Sequence, residues 1–183
     1  MSESELSRKL KEDVTRTIPV WGAESVTLAG QLGMKATSTL LAHIETGGDT
    51  ALLALEALRF ADKASYDAIP VHKRAQIYGD ALQKNLFYNT WGVPGHQLTY
   101  TADAFVALGE EAIVILEPLL SEKKIAPLEG SEDATTAVIY GNRICDYAWV
   151  FIMQIKNRKY TYYQDPAERD KAITILQQEL QKD

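Results

Sequence analysis

Three stretches of this sequence concentrate side chains that could bind a partner or do chemistry. The first is Phe87-Tyr88-Asn89-Thr90-Trp91-Gly92-Val93-Pro94-Gly95-His96-Gln97-Leu98-Thr99-Tyr100, with four large aromatics, one imidazole and a Gly-Pro-Gly framework that fixes the backbone. Loops of this kind bind well, because Tyr and Trp cover much area with few rotatable bonds. Trp91, His96 and Tyr100 are its candidate binding residues. For Phe87 and Trp91 the preferred reading is a plug between neighbouring helices.

The second stretch lies on an expected long helix from Asp133 to about Asn157. With Cys145 at the centre of its core face, steps of about 100° per residue place Tyr140, Arg143, Tyr147 and Gln154 opposite. Asp146 falls on the shoulder, one turn from Arg143. Tyr140, Arg143, Asp146 and Tyr147 are therefore candidate binding residues. The plainer account of Arg143 and Asp146 is a surface i,i+3 ion pair of small energetic value. The third stretch, Lys156 to Tyr163, sets Tyr160, Tyr162 and Tyr163 beside Lys156, Arg158 and Lys159. Such interleaving can bind single-stranded nucleic acid. A tyrosine-rich linker that packs the last helix onto the rest is the reading preferred here.

Catalytic signatures are missing. There is no phosphate-binding Gly-rich loop, no Gly-x-Ser-x-Gly and no His-Glu-x-x-His. His43, His72 and His96 lie in separate segments, and none has a His or Cys at helical-turn spacing. No catalytic residue, metal ligand or cofactor is assigned. The expectation leans away from an enzyme.

The elements that must position these stretches are helices. Apolar residues recur at helical spacing from Leu6 to Leu180, and two-residue alternation is nearly absent. Leu6, Leu10 and Val14 share a face, and Pro19 stops that helix. Asp49 is the expected cap of a Leu52–Leu55–Leu58 helix, and Thr99 or Thr101 that of a short helix containing Phe105. Ala112, Ile115, Leu116 and Leu119 form a stripe that Pro118 should kink. Asp165, Pro166 and Glu168 open the last helix in a capping-box pattern. The expected core includes Leu32, Leu55, Leu108, Ile115, Leu116, Cys145, Ala148 and Leu176.

Composition narrows the partners. Lys and Arg total 19 against 25 Asp and Glu, a formal charge of −6. That balance disfavours phosphate backbones and anionic lipid at long range. No run is long and apolar enough to span a bilayer. Residues 1–18 are charge-rich without an apolar core, so they do not read as a secretory signal. With one cysteine there is no intrachain disulfide, and a cytoplasmic location is the expectation.

One pattern occurs twice. Leu32-Gly33-Met34-Lys35-Ala36-Thr37-Ser38-Thr39-Leu40 aligns without gaps on Leu108-Gly109-Glu110-Glu111-Ala112-Ile113-Val114-Ile115-Leu116, both reading Leu-Gly-x-x-Ala-x-x-x-Leu. Leu closes a helix, Gly turns the chain, and Ala allows close packing of the next helix. The copies stand about two periods of ~40 residues apart, and this resembles a HEAT-like repeat array. Phe105 to Leu120 is most similar to a HEAT hairpin, although the family's first-helix proline is missing from both copies, as is its Asp/Arg turn pattern. The resemblance implies an all-α fold of stacked antiparallel hairpins, a HEAT-like α-solenoid, with a compact helical bundle as the alternative. It implies one helical domain over 1–183, with repeats across 24–157 and a linker and capping helix across 158–183.

A stack of hairpins presents an extended surface suited to protein partners. The leading expectation is a non-enzymatic interaction or scaffold module. An enzyme acting on nucleic acid is the second reading: DNA glycosylases of the alkylation-repair type are built on HEAT-like repeats and use Trp, Asp and Arg, and Trp149, Asp146 and Arg143 fall within seven residues here, although they do not match that family's motif. A small-molecule carrier with the 91–100 loop as a lid is the third. The sequence names no partner and no oligomeric state.

Overall fold

The computed structural model describes residues 3–16, 18–84, 86, 89–126 and 139–182. Phe87 and Tyr88 of the aromatic loop, and Asp133, Ala134 and Val138 of the expected long helix, lie outside them. The described chain is mostly helical, with one two-stranded hairpin. Its contacts separate two compact units, 1–81 and 82–183.

The first unit is organised around one apolar helix. It contains α1 (Glu3–Val14), α2 (Glu24–Leu32), α3 (Thr37–Thr46), α4 (Thr50–Ala61), α5 (Lys63–Ala68) and the start of α6 (Val71–Lys84). Every residue of α4 from Ala51 to Leu58 is buried, and α1, α2, α3 and α5 pack around it. Burial on all sides suits a helix with no polar face. Its one carboxylate, Glu56, is held inside by Arg59 (2.8 and 3.1 Å) and by the Tyr78 hydroxyl, which donates at 2.5 Å. Burial, then the charge of Glu56, pushes the Tyr78 phenol well above its usual range. Asp49 stands before α4, but its carboxylate makes no cap hydrogen bond. A working cap that went unread is Asp62, which accepts from the Ser65 backbone at 3.1 Å at the start of α5.

The second unit repeats that plan. After the end of α6 come β1 (Gly92–Val93), β2 (Gln97–Leu98), α7 (Tyr100–Val106) and α8 (Glu110–Leu116). A 3-10 turn at Pro118–Ser121, α9 (Ile144–Ile155) and α10 (Pro166–Leu180) follow. All nine residues from Ile144 to Ile152 are buried, and α7, α8 and α10 pack on α9. The strands pair antiparallel, Gly92 with Leu98 and Val93 with Gln97. The strands are two residues each, too short for alternation to show, and no Asn-Gly or Asp-Gly turn joins them. The chain turns instead through Val93-Pro94-Gly95-His96, with His96 N–H donating to Val93 C=O at 3.1 Å and Gly95 at φ +78°. Pro second and a positive-φ Gly third are the signature of a type II turn.

Several expectations hold locally and others shift. Thr99 caps α7 and Asp165 caps α10 with side-chain oxygens. Pro118 ends α8 and starts the 3-10 turn. Gly33 and Gly109, the paired glycines of the internal repeat, adopt nearly the same conformation, φ +56° ψ −139° and φ +65° ψ −137°. Leu55, Leu116, Cys145, Ala148 and Leu176 are buried. Leu32, Leu108 and Ile115 are only half-buried, and Ile113 takes the inward place expected of Ile115. The continuous helix expected through Gly141 is corrected. Gly141 sits at φ +52°, Arg143 is extended, and α9 starts at Ile144. Long-range pairing stops the helix: Ala126 N–H donates to Asn142 C=O at 2.8 Å and Ile144 N–H to Lys124 C=O at 3.0 Å.

Candidate functional site

The candidate residues belong to the second unit, and most of them face inward. Arg143 precedes α9, where its backbone N–H donates to Asp146 Oδ2 at 2.8 Å. Its guanidinium returns to the same carboxylate at 2.9 and 3.1 Å and reaches Asp170 on α10 at 2.8 Å. Asp146 is fully buried, so the expected surface ion pair is in fact an interior one. A carboxylate out of water needs partners on every side. The second partner is Arg169 of α10, whose Nε lies 3.1 Å from Asp146 Oδ1, at ion-pair distance but without hydrogen-bond geometry.

Arg169 is the residue that sequence reasoning missed. It is a fully buried guanidinium that donates to the carbonyls of Tyr163 (2.9 Å), Gln164 (2.8 Å), Tyr140 (2.7 Å) and Gly141 (3.4 Å). It also lies 5.3 Å from the centre of the Tyr162 ring. The chain runs on through Asp170, which accepts from Lys123 at 2.8 Å. Lys123, then Arg143, hold the Asp170 carboxyl below its usual range. The hydrogen bond with Asp146 raises the Arg143 guanidinium further above its already high value. These alternating charges tie the segment after the 3-10 turn, the start of α9 and the start of α10 together. Nothing in residue spacing signals Arg169, because its acceptors come from distant loops.

The aromatic candidates divide. Trp91 is buried against Phe105 and Phe151, which fits the plug reading. Tyr147 is buried too, donates to Gly92 C=O at 2.9 Å and meets Phe151 edge-on. Tyr100 begins α7, half-buried. His96 is exposed and meets Tyr140 edge-on at 5.2 Å. Tyr140 lies 5.8 Å from Tyr162, which stacks on Trp149 at 6.0 Å and donates to Asn142 Oδ1 at 2.5 Å. Trp149 also meets Tyr160 edge-on. The structure therefore brings His96 and Tyr140 together, and Arg143 with Asp146. It does not gather all seven candidates on one surface. Of the Trp149, Asp146 and Arg143 trio, Asp146 is sealed between two guanidinium groups and Trp149 is buried beneath tyrosines.

An open groove lies elsewhere in this unit. Its volume is about 540 Å³, and it runs between α9, the 158–163 crossing and α10. Trp149 and Met153 of α9 and Ala172, Ile175 and Leu176 of α10 supply its apolar lining, and Arg158, Lys159, Tyr160, Thr161, Tyr163 and Glu179 complete it. Ile175 is 58% exposed and Tyr163 41%, so apolar area faces solvent at the mouth. One weak sequence signal pointed here, the Lys156–Tyr163 stretch. Among the described residues no cluster of His, Cys, Asp and Glu could hold a metal ion, and no helix is long and apolar enough to cross a membrane. Compared with known proteins, the chain matches no family model, no curated protein and no solved structure.

Proposed function

We propose that this protein is a non-enzymatic interaction module and that the groove between α9 and α10 is its working surface. The carrying observation is the open apolar lining of that groove, with Ile175 and Tyr163 left to solvent beside a charged rim. Contiguous exposed apolar area ringed by polar groups marks interaction sites. The charged residues first considered for binding, Arg143 and Asp146, satisfy each other and Arg169, which gives them a structural task. The matching Gly33 and Gly109 turns support the associated reading of a HEAT-like stack of hairpins.

The test is paired affinity capture with the intact chain and with Ile175→Glu, read by mass spectrometry alongside thermal melts. Partners held by the wild type and lost by the variant, at an unchanged midpoint, are the expected result. Equal capture by both proteins would remove the groove from consideration. A small-molecule carrier is the second reading, because about 540 Å³ falls within the ~300–1,000 Å³ usual for ligand sites. A native mass spectrum showing a co-purifying ligand would favour it.

A further inference from the structure

The chemistry of the groove narrows what it can hold. Two helix faces converge on it. Trp149 and Met153 are one turn apart on α9, while Ala172, Ile175, Leu176 and Glu179 follow i, i+3, i+4, i+7 spacing on α10. Such a pair of faces takes apolar side chains from one side, and the pliable Met153 adapts its floor to their shape. The rim is unequal in charge. From Lys156 to Tyr163 the chain carries Lys156, Arg158 and Lys159 and no acid. The facing acid, Glu179, is already bound by Arg158 across the groove. Lys159 is exposed, and among the described residues it has no ion pair.

We propose that the groove binds a segment of a partner protein in which an apolar or aromatic anchor lies within a helical turn of a carboxylate. The proposal rests on the interaction-module reading above and names its partner class. The anchor enters between Met153, Tyr163 and Ile175, above the buried Trp149, and the carboxylate meets Lys159. Arg158 stays on Glu179 and neutralises the one acid of the rim, which leaves Lys159 as the cation open to a partner. A cationic segment would meet two cations and a single acid already paired. The formal charge of −6 repels an acidic partner at a distance. Beyond about 8 Å at physiological ionic strength that repulsion is screened, so the rim charges decide the contact.

Single-stranded nucleic acid would answer to the same cations but would also need free aromatic faces. The Tyr162 ring is stacked on Trp149 and set beside Tyr140, and Tyr160 meets Trp149 edge-on. Among the tyrosines of this stretch, only Tyr163 is exposed. A peptide anchor uses the apolar lining; a base would leave it uncovered.

The test is selection of random peptides of about twelve residues, displayed on phage, against the intact chain. Enriched peptides are then synthesised and titrated against wild type, Lys159→Glu and Ile175→Glu, with circular dichroism as the fold control. The expected result is enrichment of peptides carrying an aromatic or aliphatic residue within four positions of Asp or Glu. Lys159→Glu should weaken them about tenfold or more, and so should changing their acids to amides. Ile175→Glu should abolish binding. Ile175-dependent peptides that are neutral or basic would overturn the charge assignment while leaving the groove in place. Enriched peptides indifferent to Ile175→Glu, or no enrichment at all, would overturn the groove as well. Stronger, Lys159-dependent binding of a thymidine oligonucleotide or of phosphatidylserine vesicles would replace a protein segment with a phosphate-bearing partner.

Discussion

Arg169→Met is the sharpest probe of the second unit, because it keeps most of the side-chain volume and deletes the charge. Two losses follow. Asp146 loses one of its two guanidinium partners, and breaking a buried pair from one side costs about 3–5 kcal/mol. Arg143 remains on Asp146, which argues for the low end, about 3 kcal/mol. The carbonyls that Arg169 served are also orphaned. Tyr163 and Gln164 are exposed and can turn to water, whereas Tyr140 and Gly141 are half-buried. One imperfectly rehydrated carbonyl adds about 1–2 kcal/mol. The sum, about 4–5 kcal/mol, is comparable to the whole stability of many domains. Urea unfolding followed by circular dichroism measures it, with a constant m-value as the check on two-state behaviour. Arg169→Ala should lose more still, through a cavity. A loss below about 1 kcal/mol in both variants would refute the claim that this network holds α9 to α10. A double-mutant cycle with Asp146→Asn separates the two causes. Coupling above about 1 kcal/mol assigns the loss to the ion pair, and strict additivity assigns it to the carbonyls.

Further outcomes follow from the same geometry. The folded Asp170 carboxyl is depressed by Lys123 and Arg143, so its contribution is complete above the unfolded pKa and lost as pH falls through the folded one. Acid titration of stability below about pH 4 should therefore be shallower in Asp170→Asn than in wild type. Gly95→Ala would force a side chain into φ +78° and place Cβ 2.2 Å from Tyr162 Cγ. It should cost about 3 kcal/mol or more, read as a lowered thermal midpoint and lost near-ultraviolet signal. Cys145 is buried, and desolvation pushes its thiol up to about 11. At pH 8 a thiol reagent should label it only as fast as the unit unfolds, and rapid stoichiometric labelling would contradict its burial.

Much of the fold was legible from periodicity and end signals. Leu6 and Leu10, the α4 leucines, the Thr99 and Asp165 caps and the two Leu-Gly turns each follow from local rules. The break at Gly141 was not legible, because a lone glycine in an apolar run is tolerated by a helix. What stops the helix is pairing with residues 124–126, a contact that no local window contains. Tyr147 was assigned outward because a 100° step says which residues share a face, and not how many faces are covered. From Ile144 to Ile152 neighbours cover α9 on every side, so opposite faces of that stretch are both interior. The groove was half legible. Its tyrosines and basic residues stood out in the chain, while Ile175 showed its meaning only once α10 was placed beside α9.

The burial of Ile144 to Ile152 bears on the fate of the chain before it folds. Tyr147-Ala148-Trp149-Val150-Phe151-Ile152 is an uncharged run of aromatic and aliphatic residues without proline or glycine. Released from its neighbours, such a hexapeptide has the composition of a steric zipper, ready to stack on copies of itself. Charges guard both ends: Arg143 and Asp146 before it, Lys156, Arg158 and Lys159 after it. In a nascent or heat-opened chain these residues act as gatekeepers, opposing self-association by repulsion. The basic cluster that edges the groove in the folded protein is therefore also placed to keep the unfolded one soluble.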